Sequence, residues 1–222
     1  MTSRRWAVPF VLLAIATAGC GPQPPDYKSI WTTSTTTTTT TNPNGEPPVP
    51  MSTYLESVGV TGDPVEPEKL TDLTVTLPRP KGWQQYSSPS LAPGTRVITK
   101  GSGYPNATLV TYRLTGTFDV NEALTHADAE AEVSQNFKKL NGSKNNFHGF
   151  PSSMIEGSYD LSGQRMQSYN RVVFARGKPA KPGDQGALYL ITLTVTSFEN
   201  EAAKYGPDIE DVIKGFTVTA KP

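Results

Sequence analysis

One cysteine and two histidines leave the chain little to offer a metal. Cys20, His126 and His148 are all the thiol and imidazole groups in 222 residues, so an intramolecular disulfide framework is excluded and a His/Cys zinc centre has too few ligands. No metal and no cofactor is expected. Charge is sparse as well: 20 Lys+Arg balance 20 Asp+Glu, and charged residues make up 18% of the chain, below the roughly 25% usual for soluble domains. The basic excess that a phosphate backbone demands is missing, which excludes nucleic acid as a partner. Catalytic signatures are absent too: the chain contains no G-x-S-x-G elbow, no G-x-x-x-x-G-K-[ST] loop and no His-Glu-x-x-His. Gly101-Ser102-Gly103 lacks the third glycine of a phosphate loop and runs into Tyr104-Pro105 instead of a helix start, so it reads as a β-turn.

What is present begins with an export signal. Residues 1–20 read MTSRRWAVPFVLLAIATAGC, with Arg4 and Arg5 ahead of a 13-residue apolar run, Trp6 to Ala18, and small residues before the cysteine. A spanning helix needs about 20 apolar residues, and the GPQPP that follows Cys20 cannot continue one. Thr17-Ala18-Gly19-Cys20 resembles a bacterial lipobox, in which the thiol receives a diacylglyceryl group and the chain is cut just before it, although such boxes usually carry leucine where Thr17 stands. Residues 1–19 are therefore expected to be a signal peptide and Cys20 the lipidated first residue, holding the protein to the cell membrane through its acyl chains (palmitate among them) on the periplasmic or outer side. Loss of Arg4 and Arg5 with the signal leaves a net charge of −2 on the mature chain, so the domain has no electrostatic pull of its own toward anionic lipid.

Residues 20–50 read as a disordered tether. After Cys20 they hold three charged residues, Asp26, Lys28 and Glu46, and an unbroken Thr/Ser run from Thr32 to Thr41, too little apolar surface to offset the entropy of ordering. Pro43, Pro47, Pro48 and Pro50 stiffen the far end toward polyproline II, and Thr-rich, Pro-flanked segments resemble O-glycosylated stalks.

Residues 51–222 are long enough to bury one good core and read as a single, monomeric α+β domain. Ser52 to Glu56 opens a short helix ended by Gly59. Leu73, Val75 and Leu77 alternate with Thr74 and Thr76, the period of a half-buried strand; further strands are expected at 96–100, 107–114, 154–161, 166–175 and 188–197. In the last, Tyr189, Ile191, Leu193 and Val195 face one way and three threonines the other. Asp119 caps a long helix whose apolar positions Val120, Leu124, Ala127, Ala131, Phe137 and Leu140 approximate a 3.6 period before Asn141-Gly142. Pro207 is expected to start a final helix, with Ile209, Val212, Ile213 and Phe216 as its buried stripe and Gly215 as its stop. Hairpin-length connections predict a mainly antiparallel sheet.

Four stretches carry a family resemblance: YLESVGVTGDPV (54–65), LTDLTVTLPRPKGW (70–83), GFPSSMIEGSYDL (149–161) and DIEDVIKGFTV (208–218), with CGP at 20–22. On these the chain is similar to the mycobacterial LpqN/LpqT lipoprotein family. The resemblance implies a lipidated start, a PsbP-like α/β/α sandwich, and a role in the cell envelope, with its lipids, or in contact with a host. It implies little chemistry.

Two sets of side chains are candidates for function. His148 lies near Ser152, Ser153, Glu156 and Asp160, so a Ser/His/acid esterase can be drawn on paper, but spacing alone defines no triad. Trp83, Tyr86, Tyr104, Phe147 and Phe150 sit in Gly- and Pro-rich turns with His148, and if those turns meet they form an aromatic mouth for an acyl chain or sugar. The expected function is a membrane-anchored, non-enzymatic binding module that holds an envelope lipid or glycolipid or docks on an envelope transport protein. The alternatives are a surface lipoprotein that contacts a host protein and an esterase acting on envelope lipids.

Overall fold

The structure, a computed structural model, describes residues 48–179, 181 and 183–221. The expected signal peptide, Cys20 and the tether up to residue 47 lie outside the described residues. In chain order the elements are α1 (Met51–Ser57), β1 (Thr61–Pro64), β2 (Leu73–Thr76), β3 (Gln84–Tyr86), β4 (Arg96–Thr99), β5 (Asn106–Thr115), α2 (Val120–Thr125), α3 (Ala129–Glu132), β6 (Lys138–Ser143), β7 (Ser152–Leu161), β8 (Gln164–Arg176), β9 (Leu188–Phe198), α4 (Glu199–Gly215) and β10 (Thr217–Ala220).

The main sheet runs β3-β4-β5-β9-β8-β7-β6, and β1 pairs with the half of the β5 edge that β4 leaves open. Every pairing in it is antiparallel. β2 and β10 form a separate antiparallel pair. The β7–β8 hairpin turns at Ser162-Gly163, both at positive φ (50° and 76°), the backbone that matches the twist of two antiparallel strands joined by two residues.

Alternation along β9 decides what covers the sheet. Tyr189, Ile191, Leu193 and Val195 join Ala107 and Leu109 of β5, Tyr169 and Val173 of β8 and Met154 of β7 in one core, closed by Ala202, Ile209, Val212 and Ile213 of α4 and by Leu73 and Val218 of the small sheet. On the opposite face Leu190 of β9 and Val172 and Phe174 of β8 pack against Met51 and Leu55 of α1, Val60, and Ala123 and Leu124 of α2. The result is three layers, α+β and antiparallel as expected.

Three local expectations need correction. The long helix after Asp119 is two short pieces, α2 and α3, and Phe137 and Leu140 belong to an extended segment. Asp119 does cap α2, accepting from the amides of Asn121 (2.7 Å) and Glu122 (3.4 Å). Beyond α3, however, Asn136 turns to φ 53° and the chain pairs along the open edge of β7, where main-chain pairing overrides helical propensity. Gly157 makes room for this: a Cβ there would stand 2.3 Å from the Phe137 ring. The final helix starts at Glu199, directly after β9, and Pro207 lies inside it; burial of Ala202 and Gly206 continues its stripe toward the N-terminus. Short strands β1, β3, β6 and β10, not foreseen from the sequence, complete the sheets.

Candidate functional site

The six residues expected to rim a mouth are dispersed. Trp83 is buried in the α4-side core, and its indole Nε1 donates to the Asp208 carboxylate at 3.2 Å, which Lys100 also engages. Burial opposes ionisation of Asp208, but the Lys100 and Trp83 hydrogen bonds outweigh it and hold this carboxyl below the usual aspartate value. Tyr86 stands exposed on the edge strand β3. Tyr104 lies edge-on to Phe198 with ring centroids 4.9 Å apart. Phe147 is buried and stacks on Phe216 at 5.2 Å.

Only Phe147, His148 and Phe150 come together. They belong to one tight turn, closed by Phe147 N–H to Phe150 O (2.8 Å) and Phe150 N–H to Phe147 O (3.0 Å), with His148 and Gly149 in the left-handed region between them. The His148 imidazole is exposed. Partial burial, and then the charge of Arg171, lower its pKa. The serines near it are committed elsewhere. Ser152 Oγ donates to Asn145 O (2.7 Å) and accepts from Arg171 Nη1 (3.1 Å). Ser153 Oγ donates to Asp128 Oδ1 (2.6 Å) and accepts from Lys144 Nζ (2.8 Å), and both serines are buried.

A cavity of about 460 Å³ opens on the other face of the sheet, and none of those six residues lines it. Its size falls in the range of small-molecule sites, about 300–1,000 Å³. Met51 and Leu55 of α1 form one wall with Val60, Ala127 and Ala131 form another, and the floor is the sheet: Val110, Tyr112 and Leu114 of β5, Val172 of β8 and Leu190 of β9. Farther along the same strands the floor turns polar with Thr192, Thr194 and Asn170, all half-exposed. Thr194 Oγ1 donates to Asn170 Oδ1 at 3.0 Å. A chamber with an aliphatic end and a hydroxyl/amide end suits an amphiphile. A second, more polar groove of about 420 Å³ lies between β2 and β4, with Arg79, Gln85, Glu68 and Arg96 on its walls; Arg96 is held there by Glu68 (2.6 Å) and Glu66 (3.1 Å).

Two anchors, Asp128 buried and His126 half-buried, fix the cavity's walls. Asp128, between α2 and α3, accepts from Ser153 and pairs with Lys144 (3.1 Å) and Lys139 (3.6 Å), tying the helical connection to β6 and β7. His126 stacks on Tyr54 of α1 at 4.5 Å, and its Nδ1 lies 3.1 Å from Val49 O, tying α2 to the chain entering α1. The sequence carried one signal of the cavity. Leu190, Thr192 and Thr194 occupy the second face of β9, where the apolar character fades, but which helix covers that face is not a local property.

The chain is similar to several known proteins, and a solved structure among them shares its fold. Residues 47–219 match the family model described as "Probable lipoprotein LpqN". The chain is 50% identical over 215 residues, 97% of its length and 93% of the relative's, to the lipoprotein LpqT of Mycobacterium tuberculosis. The crystal structure of LpqN from Mycobacterium tuberculosis, described as involved in cell envelope biogenesis, superposes with TM-score 0.63 at 22% identity, covering 80% of this chain and all of that one. The solution structure of cyanobacterial PsbP from Synechocystis sp. PCC 6803 gives TM-score 0.44 at 12% identity over 68% of this chain and 94% of that one.

Proposed function

The chain belongs to the LpqN family of lipoproteins, and on that footing we propose that it is a lipid-anchored, non-enzymatic binding module of the cell envelope whose cavity between α1 and the sheet holds the acyl part of an envelope lipid or glycolipid. The observation that carries this reading is the cavity: aliphatic walls at one end, Thr192, Thr194 and Asn170 at the other, and a volume of about 460 Å³. Burying an acyl chain there removes apolar area from water at about 25 cal/mol per Å², and the half-exposed polar floor can meet a headgroup. Membrane attachment through Cys20 and a long tether would keep such a site close to its supply of lipid.

The esterase reading loses its support at Ser152 and Ser153, whose hydroxyls are buried and bonded to Arg171, Asn145, Asp128 and Lys144. A bound lipid is the direct test. Native mass spectrometry of protein purified from a mycobacterial envelope is expected to show a lipid-sized adduct, and Leu190→Trp, which fills the cavity floor, is expected to remove it while the circular dichroism spectrum stays unchanged. No adduct in the parent protein, or an adduct indifferent to Leu190→Trp, would contradict the proposal.

A further inference from the structure

The cavity is selective by charge: we propose that it accepts an uncharged, hydroxyl-bearing amphiphile and rejects anionic ones, with Glu56 and Glu130 as the residues that decide. The inference rests on the reading above, that the cavity takes an acyl chain, and adds which headgroup can follow the chain in.

The charged residues lining the cavity are Glu56 of α1, Glu130 of α3 and Arg171 of β8. Glu56 and Glu130 come from the two helical walls, and both are solvent-exposed residues of the lining. Arg171 does not balance them. Its neighbours Asn170 and Val172 face the cavity, so the alternation of β8 sends the Arg171 side chain through to the other face of the sheet. There its Nε donates to Tyr169 Oη at 2.7 Å, its Nη1 donates to Ser152 Oγ at 3.1 Å, and its guanidinium lies 4.6 Å from the centre of the Phe147 ring, in the α4-side core. Among the described residues, the lining therefore carries two carboxylates and no ammonium or guanidinium that faces the cavity.

The remaining polar groups are neutral. Thr192, Thr194 and Asn170 offer hydroxyl and amide donors and acceptors on a half-exposed stripe, a set that exchanges hydrogen bonds with hydroxyl groups without needing a counter-charge. A carboxylate or phosphate headgroup would share this lining with Glu56 and Glu130 and meet repulsion, weakened by solvent but not removed.

Isothermal titration of the full chain carrying Cys20→Ser, so that no acyl group is attached, separates the possibilities. The probes are monodecanoylglycerol and decanoate, which share a chain length and differ in charge, at a pH where decanoate is ionised. At low salt decanoate is expected to bind about tenfold more weakly, the gap narrowing at high salt as the carboxylates are screened. Glu56→Gln/Glu130→Gln is expected to close the gap at low salt and leave monodecanoylglycerol affinity and the melting temperature unchanged. Equal affinity for the two probes at low salt, or a gap that survives the double substitution, overturns the charge assignment while leaving the cavity reading intact. If neither probe binds, the cavity reading fails and the charge assignment falls with it.

Discussion

Asp128 is the residue on which the helical cover of the cavity turns. It is buried, and Ser153, Lys144 and Lys139 converge on its carboxyl group from β7, the β6–β7 connection and β6. Removing one donor from such a group leaves a desolvated oxygen short of a partner. Ser153→Ala is therefore expected to cost about 1–3 kcal/mol in urea denaturation; an unchanged midpoint would show that the hydroxyl contributes nothing. Asp208 is the corresponding residue on the far face. Its hydrogen bonds from Lys100 and Trp83 hold it ionised to lower pH than an ordinary aspartate. The stability this contributes is present above the ordinary value of 3.8 and is lost as pH falls through the lowered folded value. The indole N–H resonance of Trp83 is expected to titrate with a midpoint below 3.8 and to stop titrating in Asp208→Asn. A midpoint at or above the ordinary value would break the link between this carboxylate and the indole.

Among the elements, the long strands were the most legible. Alternation in β9, where Tyr189, Ile191, Leu193 and Val195 fall on one side, predicts that strand and its apolar face, because period-2 burial is a local signature. The segment after Asp119 was not, because its apolar spacing suits a helix as well as a strand, and the open edge of β7 that decides between them lies elsewhere in the sequence. The same holds for the candidate site: Trp83 and Phe147 read as turn aromatics, but residues far along the chain, Asp208 and Phe216, draw them into the core. In α4 the sequence misleads through Pro207, which is favourable at a helix start and here occupies the interior. It removes one main-chain bond and crowds the preceding turn, a defect of up to about 3 kcal/mol. Pro207→Ala is accordingly expected to raise the melting temperature, and a lowered one would mean that the proline ring packs in a way that offsets the missing bond.

At the scale of the whole molecule, the antiparallel sheet separates two tasks. Its α4 side carries the larger core, with Ile191, Leu193, Ile209, Val212 and Phe216 fully buried. Its other side is only partly covered by α1, α2 and α3, which leaves the cavity. Among the described residues that side is reached first, since Met51 and Ser52 at the start of α1 line the cavity. If Cys20 carries the only strong membrane contact, Cys20→Ala should move the protein from the membrane fraction to the soluble one. Retention after a carbonate wash would show that the domain binds the membrane by itself. The central claim, that the cavity under α1 holds an acyl chain, is tested most directly by photolabelling with an uncharged monoacylglycerol bearing a diazirine in its chain, followed by peptide mapping. The account predicts adducts on the cavity walls, around Leu55, Val110 to Leu114 and Leu190 to Thr194; adducts confined to the Phe147–Phe150 turn or the β2–β4 groove would contradict it.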